Sequence, residues 1–326
     1  MHPHFDSRPN RKLRVAVLSG GPSAEREISL QSGAAVARAL KIAGHAVREI
    51  DPAHEDVAGC NWNAFDVAFI ALHGKFGEDG QVQQILENAL IPYTGSGVPA
   101  SQLAFSKSAS KERFAQQQVP TAPYVLIHES DTAHRIAQQA EQLGFPLVVK
   151  PDTQGSSLGV TIVQQVEDLP AALARCFHYD AFGLLEQAVR GSEWTVGLLD
   201  DRALPPIRIE TERMFFDYAA KYEDDETRYQ FESDVPAEQV DGIVQAARSA
   251  CAAVGTSGLA RVDLILDQSG SPQVLEVNTV PGLTDHSLVP KAAARLGLTM
   301  AELCQACLSS ALQHAYRRAA IRSGRG

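Results

Sequence analysis

The sequence predicts an α/β protein of two or three lobes, the first of which is built on a parallel sheet. Short apolar segments alternate with segments of helical periodicity from residue 13 to residue 72, which is the pattern of parallel strands joined by helices. The length of 326 residues exceeds that of an ordinary single domain. The hydrophobic fraction of 44% indicates a globular chain with a substantial core.

The first lobe starts with a strand, a glycine turn and a helix. Residues 13–19 are apolar and lead into Gly20 and Gly21, and Ser23 is placed to cap the following helix. A later apolar segment, 66–72, ends at His73. Ligands of parallel sheets bind beyond the carboxyl ends of the strands, so the glycine turn and His73 mark a candidate site.

A second lobe is predicted to begin after Gly97 and to contain a phosphate-binding loop. One of its strands ends at Lys150, and Gly155, Ser156 and Ser157 follow closely. Glycine lets backbone N–H groups approach phosphate oxygens, serine adds hydroxyl donors, and lysine supplies positive charge. The alternative is an ordinary glycine-rich hairpin loop.

The third lobe carries acidic residues within two strand-like segments. Arg261 and Asp263 share one face of the first segment, and Glu276 and Asn278 share one face of the second. Residues 267–272 have turn chemistry, and a hairpin centred there sets Asp263 opposite Glu276 and Arg261 opposite Asn278. Two facing carboxylates repel each other unless a proton or a cation lies between them.

A divalent metal is the interpretation that these residues favour. Asp263, Glu276 and Asn278 offer only oxygen ligands, which suit a hard ion such as Mg²⁺ and argue against zinc. A solvated outer face of a hairpin is the alternative, but the opposite face is filled by valine and leucine.

Composition excludes several classes of protein. The net charge of −10 disfavours nucleic acid as a partner, and no apolar run approaches the ~20 residues of a membrane span. Residues 1–12 are expected to form a flexible extension rather than a signal peptide, and five cysteines, an odd number, fit a reducing cytoplasm. Cys304 and Cys307 have redox-motif spacing but lie in a periodic helix, which favours core residues.

Two common nucleotide-binding patterns are absent from the chain. Neither GxxxxGK[ST] nor GxGxxG occurs, which argues against P-loop ATPases and NAD dehydrogenases.

Five ordered motifs make the chain resemble the D-alanine:D-alanine ligase family of the ATP-grasp superfamily, over roughly residues 13–310. They are SGGPSAEREIS at 19–29, ALHGKFGEDG at 71–80, PYTGSG at 92–97, DYAAKY at 217–222 and SLVPKAA at 287–293. The resemblance implies an ATP-grasp fold with a Rossmann-like N-terminal lobe. The implied divisions are a substrate lobe at 13–96, a central lobe at 97–187, and a C-terminal lobe at 188–326 with a lid at 215–228 and a metal-binding hairpin at 258–282.

The implied reaction is ATP-dependent ligation of two D-alanines through a D-alanyl phosphate, in the synthesis of bacterial peptidoglycan precursors. The implied cofactors are ATP and two Mg²⁺ or Mn²⁺ ions, and a cytoplasmic homodimer without nucleic acid or membrane partners is expected. Because members of this family that accept D-lactate are associated with loss of this tyrosine, the resemblance also implies, through Tyr222 in the lid, a dipeptide product rather than a depsipeptide.

The resemblance also assigns roles to individual residues. The implied catalytic residues are Glu25, Ser156, Tyr222, Arg261 and Gly282. The implied D-alanine-binding residues are His73, Ser287 and Leu288, with a structural hydrogen-bonding role as the alternative for His73. The implied ATP-binding residues are Lys107, Lys150, Ser156, Ser157, Glu186, Val189, Glu193 and Lys221. The implied metal ligands are Asp263, Glu276 and Asn278.

Three rival functions are open at the level of sequence. Another ATP-grasp ligase of carboxylates and amines would release ADP with a different substrate. A silent nucleotide-binding protein would not need the charged set around Arg261. A dehydrogenase would change NADH absorbance.

Overall fold

The computed structural model describes residues 11–210, 228–231 and 234–322, with side chains as far as residue 316. Three sheets organise these residues. The strands are β1 (Arg14–Leu18), β2 (Ala46–Ile50), β3 (Val67–Ile70), β4 (Tyr124–His128), β5 (Leu147–Pro151), β6 (Thr161–Val163), β7 (Phe182–Gln187), β8 (Gly191–Leu199), β9 (Arg202–Ala203), β10 (Ile207–Glu210), β11 (Arg228–Gln230), β12 (Leu259–Asp267) and β13 (Pro272–Asn278). The helices are α1 (Arg26–Ile42), α2 (Gln81–Asn88), α3 (Val98–Phe105), α4 (Lys107–Gln116), α5 (Ala133–Leu143), α6 (Leu169–Phe177), α7 (Ala237–Val254), α8 (Leu288–Arg295) and α9 (Met300–Arg322).

The first sheet is parallel, as the alternation of strands and helices predicts. Its strand order is β2-β1-β3. Gly20 and Gly21 follow β1 with positive φ angles of 84° and 77°. A Cβ atom on Gly20 would lie 2.6 Å from Asp51 Oδ1, so no other residue fits this turn without displacing that carboxylate.

The predicted cap of α1 is wrong. The helix begins at Arg26, and its N-cap residue is Glu25 rather than Ser23. The Ser23 hydroxyl instead donates to the carbonyl of His73 at 2.6 Å and accepts the Glu25 N–H at 3.1 Å. The end of β3 therefore competes with the helix for this serine, a contact that local sequence does not contain.

The second sheet is antiparallel, with the order β4-β7-β5-β6. Helices α5 and α6 cover one face, where Ile136, Ala140 and Cys176 pack against buried strand residues. The antiparallel pairing of β5 with β7 sets Glu186 opposite Val148, so that Glu186 and Lys150 are diagonal neighbours on the same face of the sheet.

The third sheet has the order β11-β10-β8-β12-β13, and β9 pairs with β8. Helix α7 packs on the face that contains Val262, Leu264 and Val274. The predicted hairpin register is confirmed, because Arg261 pairs with Asn278 and Asp263 pairs with Glu276. The register shifts just after Asp263, so that a bulge follows the acidic pair.

The first sheet shares its core with the C-terminal helix. Leu13, Val15 and Phe69 belong to the same buried cluster as Leu303 and Leu308 of α9. The central sheet, by contrast, has a core cluster of its own. The predicted lobe limits at residues 96 and 187 stay predictions.

The two CxxC cysteines are core residues, as their helical periodicity indicates. Cys304 and Cys307 are free thiols with exposures of 0% and 2%. Burial raises the pKa of the Cys307 thiol to about 12, which keeps it protonated and unreactive at neutral pH. Among the helices of the described ranges, none is both long enough and apolar enough to cross a membrane.

Candidate active site

A cavity of about 240 Å³ lies between the central sheet and the third sheet. Apolar side chains form much of its wall, among them Val148, Ile162, Val189, Ile265 and Leu275. Charged side chains lie on the remaining wall: Lys107, Lys150, Glu186, Glu193, Asp263 and Glu276. A flat apolar ring carrying a strongly charged group fits this division of the lining.

A buried charge cluster stands in one wall of this cavity. Lys150 Nζ and Lys111 Nζ lie 3.0 Å and 2.6 Å from the same oxygen, Glu186 Oε2. Burial would raise the pKa of the Glu186 carboxyl, but the attraction of Lys150 and Lys111 outweighs it and lowers that pKa. Glu186 is therefore an ionised acceptor at the cavity wall.

Helix α4 begins at Lys107, which also lines this cavity. Its N-cap, Ser106, accepts the Ala109 N–H, and the Asp152 carboxylate accepts the Ser108 N–H at 2.7 Å and the Ser106 hydroxyl at 2.8 Å. Lys107 Nζ donates to the carbonyl of Gln154 at 2.5 Å and lies 3.5 Å from Glu276 Oε2. The lysine thus joins the glycine-serine loop to the acidic hairpin.

The acidic hairpin brings its polar residues to the cavity. Arg261 donates to both oxygens of Asp263, with Nε–Oδ1 at 2.8 Å and Nη2–Oδ2 at 2.7 Å. The buried hydroxyl of Thr195 also donates to Asp263 Oδ1, at 2.7 Å. Asn278 Oδ1 accepts the Val280 N–H at 2.9 Å.

The donor set of this hairpin fits a hard divalent ion. Asp263 and Glu276 are cross-strand neighbours, and both line the cavity beside Lys107. Each supplies a carboxylate, and the Asn278 amide supplies a neutral oxygen. Arg261 and Lys107 offset part of the negative charge of the pair in the protein alone.

A second group of polar residues lies where the first lobe meets the glycine-serine loop. The Ser156 hydroxyl donates to Glu25 Oε1. A Cβ atom on either Gly74 or Gly155 would lie 2.8 Å from Glu25 Oε2. The Glu25 carboxylate is thus flanked by two glycines, and Ser156 and Ser157 take the rare positive φ angles of 51° and 57° beside it.

His73 is buried near this carboxylate and contacts two side chains that the sequence did not single out. Its Nε2 lies 3.1 Å from Ser32 Oγ, and its Nδ1 lies 3.9 Å from Glu78 Oε1. Ser32 Oγ also accepts the Leu283 N–H at 3.3 Å. Burial raises the pKa of the Glu78 carboxyl, and the charge of Glu25 raises it further.

The loop after the hairpin packs closely around Gly282. A Cβ atom on Gly282 would lie 2.8 Å from Ser287 Oγ. That oxygen accepts the Thr284 N–H at 3.0 Å, and Ser287 is the N-cap residue of α8, which begins at Leu288. Gly282 therefore lies against the start of α8.

Family models match most of the chain. The model described as "D-ala D-ala ligase N-terminus" matches residues 44–96, and that described as "D-ala D-ala ligase C-terminus" matches residues 114–309. The D-alanine–D-alanine ligase of Ectopseudomonas mendocina is 45% identical over 311 residues, which are 95% of this chain and 98% of that protein. The chain belongs to the D-alanine–D-alanine ligase family. The ligase of Aromatoleum aromaticum is 46% identical, over 91% of this chain and 96% of its own.

Solved structures confirm the ATP-grasp fold of this D-alanine–D-alanine ligase family member. The D-alanine–D-alanine ligase of Bacillus anthracis complexed with ATP superposes with a TM-score of 0.82 at 30% identity. The match covers 94% of this chain and 99% of the other. The enzyme of Coxiella burnetii gives the same TM-score at 25% identity, over 97% and 99% of the two chains. The member described here is thus an ATP-dependent ligase by family.

Most of the predicted site residues of this ligase family member come together. One cavity is lined by Lys107, Lys150, Ser157, Glu186, Val189, Glu193, Asp263 and Glu276. Ser156 bonds to Glu25 instead, and His73, Gly282, Ser287 and Leu288 lie in the adjoining region. Lys221, Tyr222 and the lid at 215–228, apart from its last residue, lie outside the described residues.

Sequence reasoning missed several polar residues of this ligase that contact the predicted ones. They are Ser32, Glu78, Lys111, Asp152 and Thr195. Glu78 lies within the motif at 71–80, five residues after His73, and Lys111 follows Lys107 by four residues. The helical spacing of Lys107 and Lys111 was a usable signal, because residues four apart share a helix face. The other three contacts join distant parts of the chain.

Proposed function

We propose that the chain joins two D-alanines into D-alanyl-D-alanine, with ATP converted to ADP and phosphate, in the synthesis of peptidoglycan precursors. The observation that best supports this proposal is that Lys107 and Glu276 line both the large cavity and a smaller one beside it. Glu78 and Gly155 also line the smaller cavity. The end of a nucleotide that carries phosphates would meet a substrate there, beside Glu25 and His73.

Phosphoryl transfer needs charge neutralisation and alignment more than covalent catalysis. Lys107 and Lys150 supply cations at the polar end of the cavity, and Ser157 adds a donor from the glycine-serine loop. Asp263, Glu276 and Asn278 would hold two Mg²⁺ or Mn²⁺ ions. Bound there, such ions neutralise phosphate oxygens and orient the transferred group.

The first D-alanine binds through its ammonium group to Glu25, which Ser156 holds in place. Its carboxylate attacks the γ-phosphorus of ATP, which gives D-alanyl phosphate and ADP. His73 lies beside this position and helps to orient the substrate. The apolar wall of the cavity, with Val189 near the base and Glu193 near the ribose, holds the nucleotide.

The second D-alanine is held by Ser287 and Leu288 at the start of α8, and its amine attacks the acyl phosphate carbonyl. Arg261 and the backbone N–H of Gly282 stabilise the oxyanion that forms. Phosphate then leaves, and the dipeptide is released. The lid at 215–228, with Lys221 and Tyr222, excludes water from the acyl phosphate.

The family resemblance also supports a homodimer in the cytoplasm, with lobes at 13–96, 97–187 and 188–326. Sedimentation of the purified chain tests the homodimer, and limited proteolysis tests the lobe boundaries.

The direct test is ADP release with D-alanine, L-alanine or no amino acid, at saturating ATP and Mg²⁺. The expected result is release that requires the D isomer, with D-alanyl-D-alanine as product by mass spectrometry. Offering D-serine and D-lactate together with D-alanine tests the second position. Release that is equal with both isomers, or a mainly depsipeptide product near neutral pH, would contradict the proposal.

A further inference from the structure

Lys111 is a fully buried cation that the reaction described above does not use. It lies on α4 four residues after Lys107, and its side chain has no exposure to solvent. Its Nζ lies 2.6 Å from Glu186 Oε2, 2.6 Å from Thr121 Oγ1 and 3.3 Å from the carbonyl of Ala122. A buried ammonium group is unfavourable unless it is paired and hydrogen-bonded, and here Glu186, Thr121 and Ala122 supply the partners.

Glu186, the ion-pair partner of Lys111, forms part of the wall of the nucleotide cavity. Glu186 lines that cavity together with the apolar residues Val148 and Val189, whereas Lys111 lies behind it. Both Lys111 and Lys150 contact the same carboxylate oxygen, Oε2. An ionised carboxylate can only accept hydrogen bonds, so Glu186 presents an acceptor to whatever ring occupies the apolar part of the cavity.

Lys111 and Lys150 cannot both keep their ion pairs with Glu186 once a nucleotide is bound. Lys150 itself lines the cavity, and the proposed function places its ammonium group on phosphate. Lys111 has no route to the cavity, because its three contacts and its complete burial fix it behind the wall. It therefore stays beside the Glu186 carboxylate whether or not a nucleotide is bound.

We propose that Lys111 is a positioning residue for nucleotide selectivity, which keeps Glu186 an ionised acceptor and so favours a purine with an amino group at the cavity wall over one with an oxygen there. Adenine has such an amino donor, whereas hypoxanthine presents a carbonyl oxygen that the carboxylate repels. The proposal rests on the proposed function, since it takes the cavity as the ATP site.

Replacement of Lys111 should reduce the preference for ATP over inosine triphosphate, because it changes the protonation of Glu186. Among the described residues, Lys111 and Lys150 are the cations that contact Glu186, so with Lys150 engaged by phosphate and Lys111 replaced, the buried carboxyl takes up a proton. A protonated carboxyl can donate to the oxygen of hypoxanthine. The preference for ATP over inosine triphosphate should then fall by about tenfold or more, the scale of one charge-assisted hydrogen bond.

The test compares ATP with inosine triphosphate in the full chain at pH 7, using kcat/KM with saturating D-alanine and dissociation constants from calorimetry. Lys111→Met keeps the length of the side chain and removes its charge. The expected result is a smaller ratio of ATP to inosine triphosphate in both measurements, with most of the change in KM. Lys111→Gln, which keeps a neutral donor, should give an intermediate ratio and serves if the methionine variant does not fold.

Thr121→Val is the matched control for a merely structural role. Thr121 Oγ1 donates to the carbonyl of Val274 at 2.7 Å and contacts Lys111, so its loss loosens the same region while leaving the cation on Glu186. The proposal is overturned if a folded Lys111 variant keeps the wild-type ratio, or if Thr121→Val lowers the ratio equally. Failure of the proposed function is distinct: the wild-type chain would then release no ADP with D-alanine, while the calorimetric ratio still tests Lys111.

Discussion

The contact between Ser156 and Glu25 joins the glycine-serine loop to the first lobe, and its removal should weaken D-alanine binding. In Ser156→Ala the Glu25 carboxylate loses a hydroxyl donor and gains no replacement. A hydrogen bond to a charged group contributes about 1.5–3 kcal/mol, which corresponds to roughly 10- to 150-fold in kcat/KM. Both side chains are only partly buried, so the lower end of this range is expected.

The assay is a double-mutant cycle on kcat/KM for D-alanine, measured by ADP release with saturating ATP. Its members are the wild type, Ser156→Ala, Glu25→Gln and the double variant. If the serine acts by orienting Glu25, the serine substitution should cost much less in the glutamine background, and the two effects will not multiply. The KM for ATP should change little in Ser156→Ala, because Ser157 rather than Ser156 lines the nucleotide cavity.

Independent, multiplying effects of the two substitutions would refute this reasoning. So would a Ser156→Ala variant whose main defect is in the KM for ATP. Thermal unfolding of all four proteins controls for loss of structure.

Three further predictions concern the hairpin, the loop after it and the first sheet. Glu276→Gln should lower the apparent affinity for Mg²⁺ in ADP release. The expected loss exceeds the roughly 10- to 100-fold that follows removal of a residue hydrogen-bonded to a metal ligand, because Glu276 is itself a proposed ligand. The melting temperature should not change. Gly282→Ala should lower kcat/KM for the second D-alanine by about tenfold or more, because the added Cβ lies 2.8 Å from Ser287 Oγ. Hydrogen bonds from Arg26 lower the pKa of Asp51 well below its usual range, so this carboxylate stabilises the fold above about pH 4 and loses that effect as the pH falls. Asp51→Asn should therefore flatten the acid side of the free energy of unfolding against pH, measured by urea titration.

Each of these has a contradicting outcome. Wild-type magnesium dependence in Glu276→Gln would remove the metal assignment. Among the described residues, no atom lies within 4 Å of a Cβ added at Gly242 on α7. Gly242→Ala is therefore the matched control for Gly282→Ala, and equal losses in both would argue against a local effect. If the free energy of unfolding of Asp51→Asn falls as steeply with decreasing pH as that of the wild type, other carboxylates determine the acid dependence.

The strand register of the acidic hairpin was predictable from the sequence. Alternation of side chains and one turn segment were enough to pair Asp263 with Glu276 and Arg261 with Asn278, because strand geometry and turn position together fix a register. The bulge after Asp263 was not predicted, since an extra residue in one strand leaves no mark in an alternating pattern of this length. The resemblance supplied the predicted reaction, and local chemistry supplied the predictions of a metal site and of a phosphate loop.

Contacts between distant segments were beyond the sequence pattern. Thr195 reaches Asp263 across 68 positions, and Ser32 reaches Leu283 across 251. Ser32 lies on α1 and Thr195 on β8, and neither segment by itself indicates which distant residue it contacts. Ser23 failed as a cap for the same reason, because its partner is the carbonyl of His73, 50 residues away.

The common core of the first sheet and α9 has a consequence for how the protein is made. Leu13 leaves the ribosome 290 residues before Leu303 of the same buried cluster. One side of the first sheet therefore stays uncovered until α9 has been synthesised, while the central sheet can close around its own core much earlier. During translation the middle of this chain is ready to fold before its beginning.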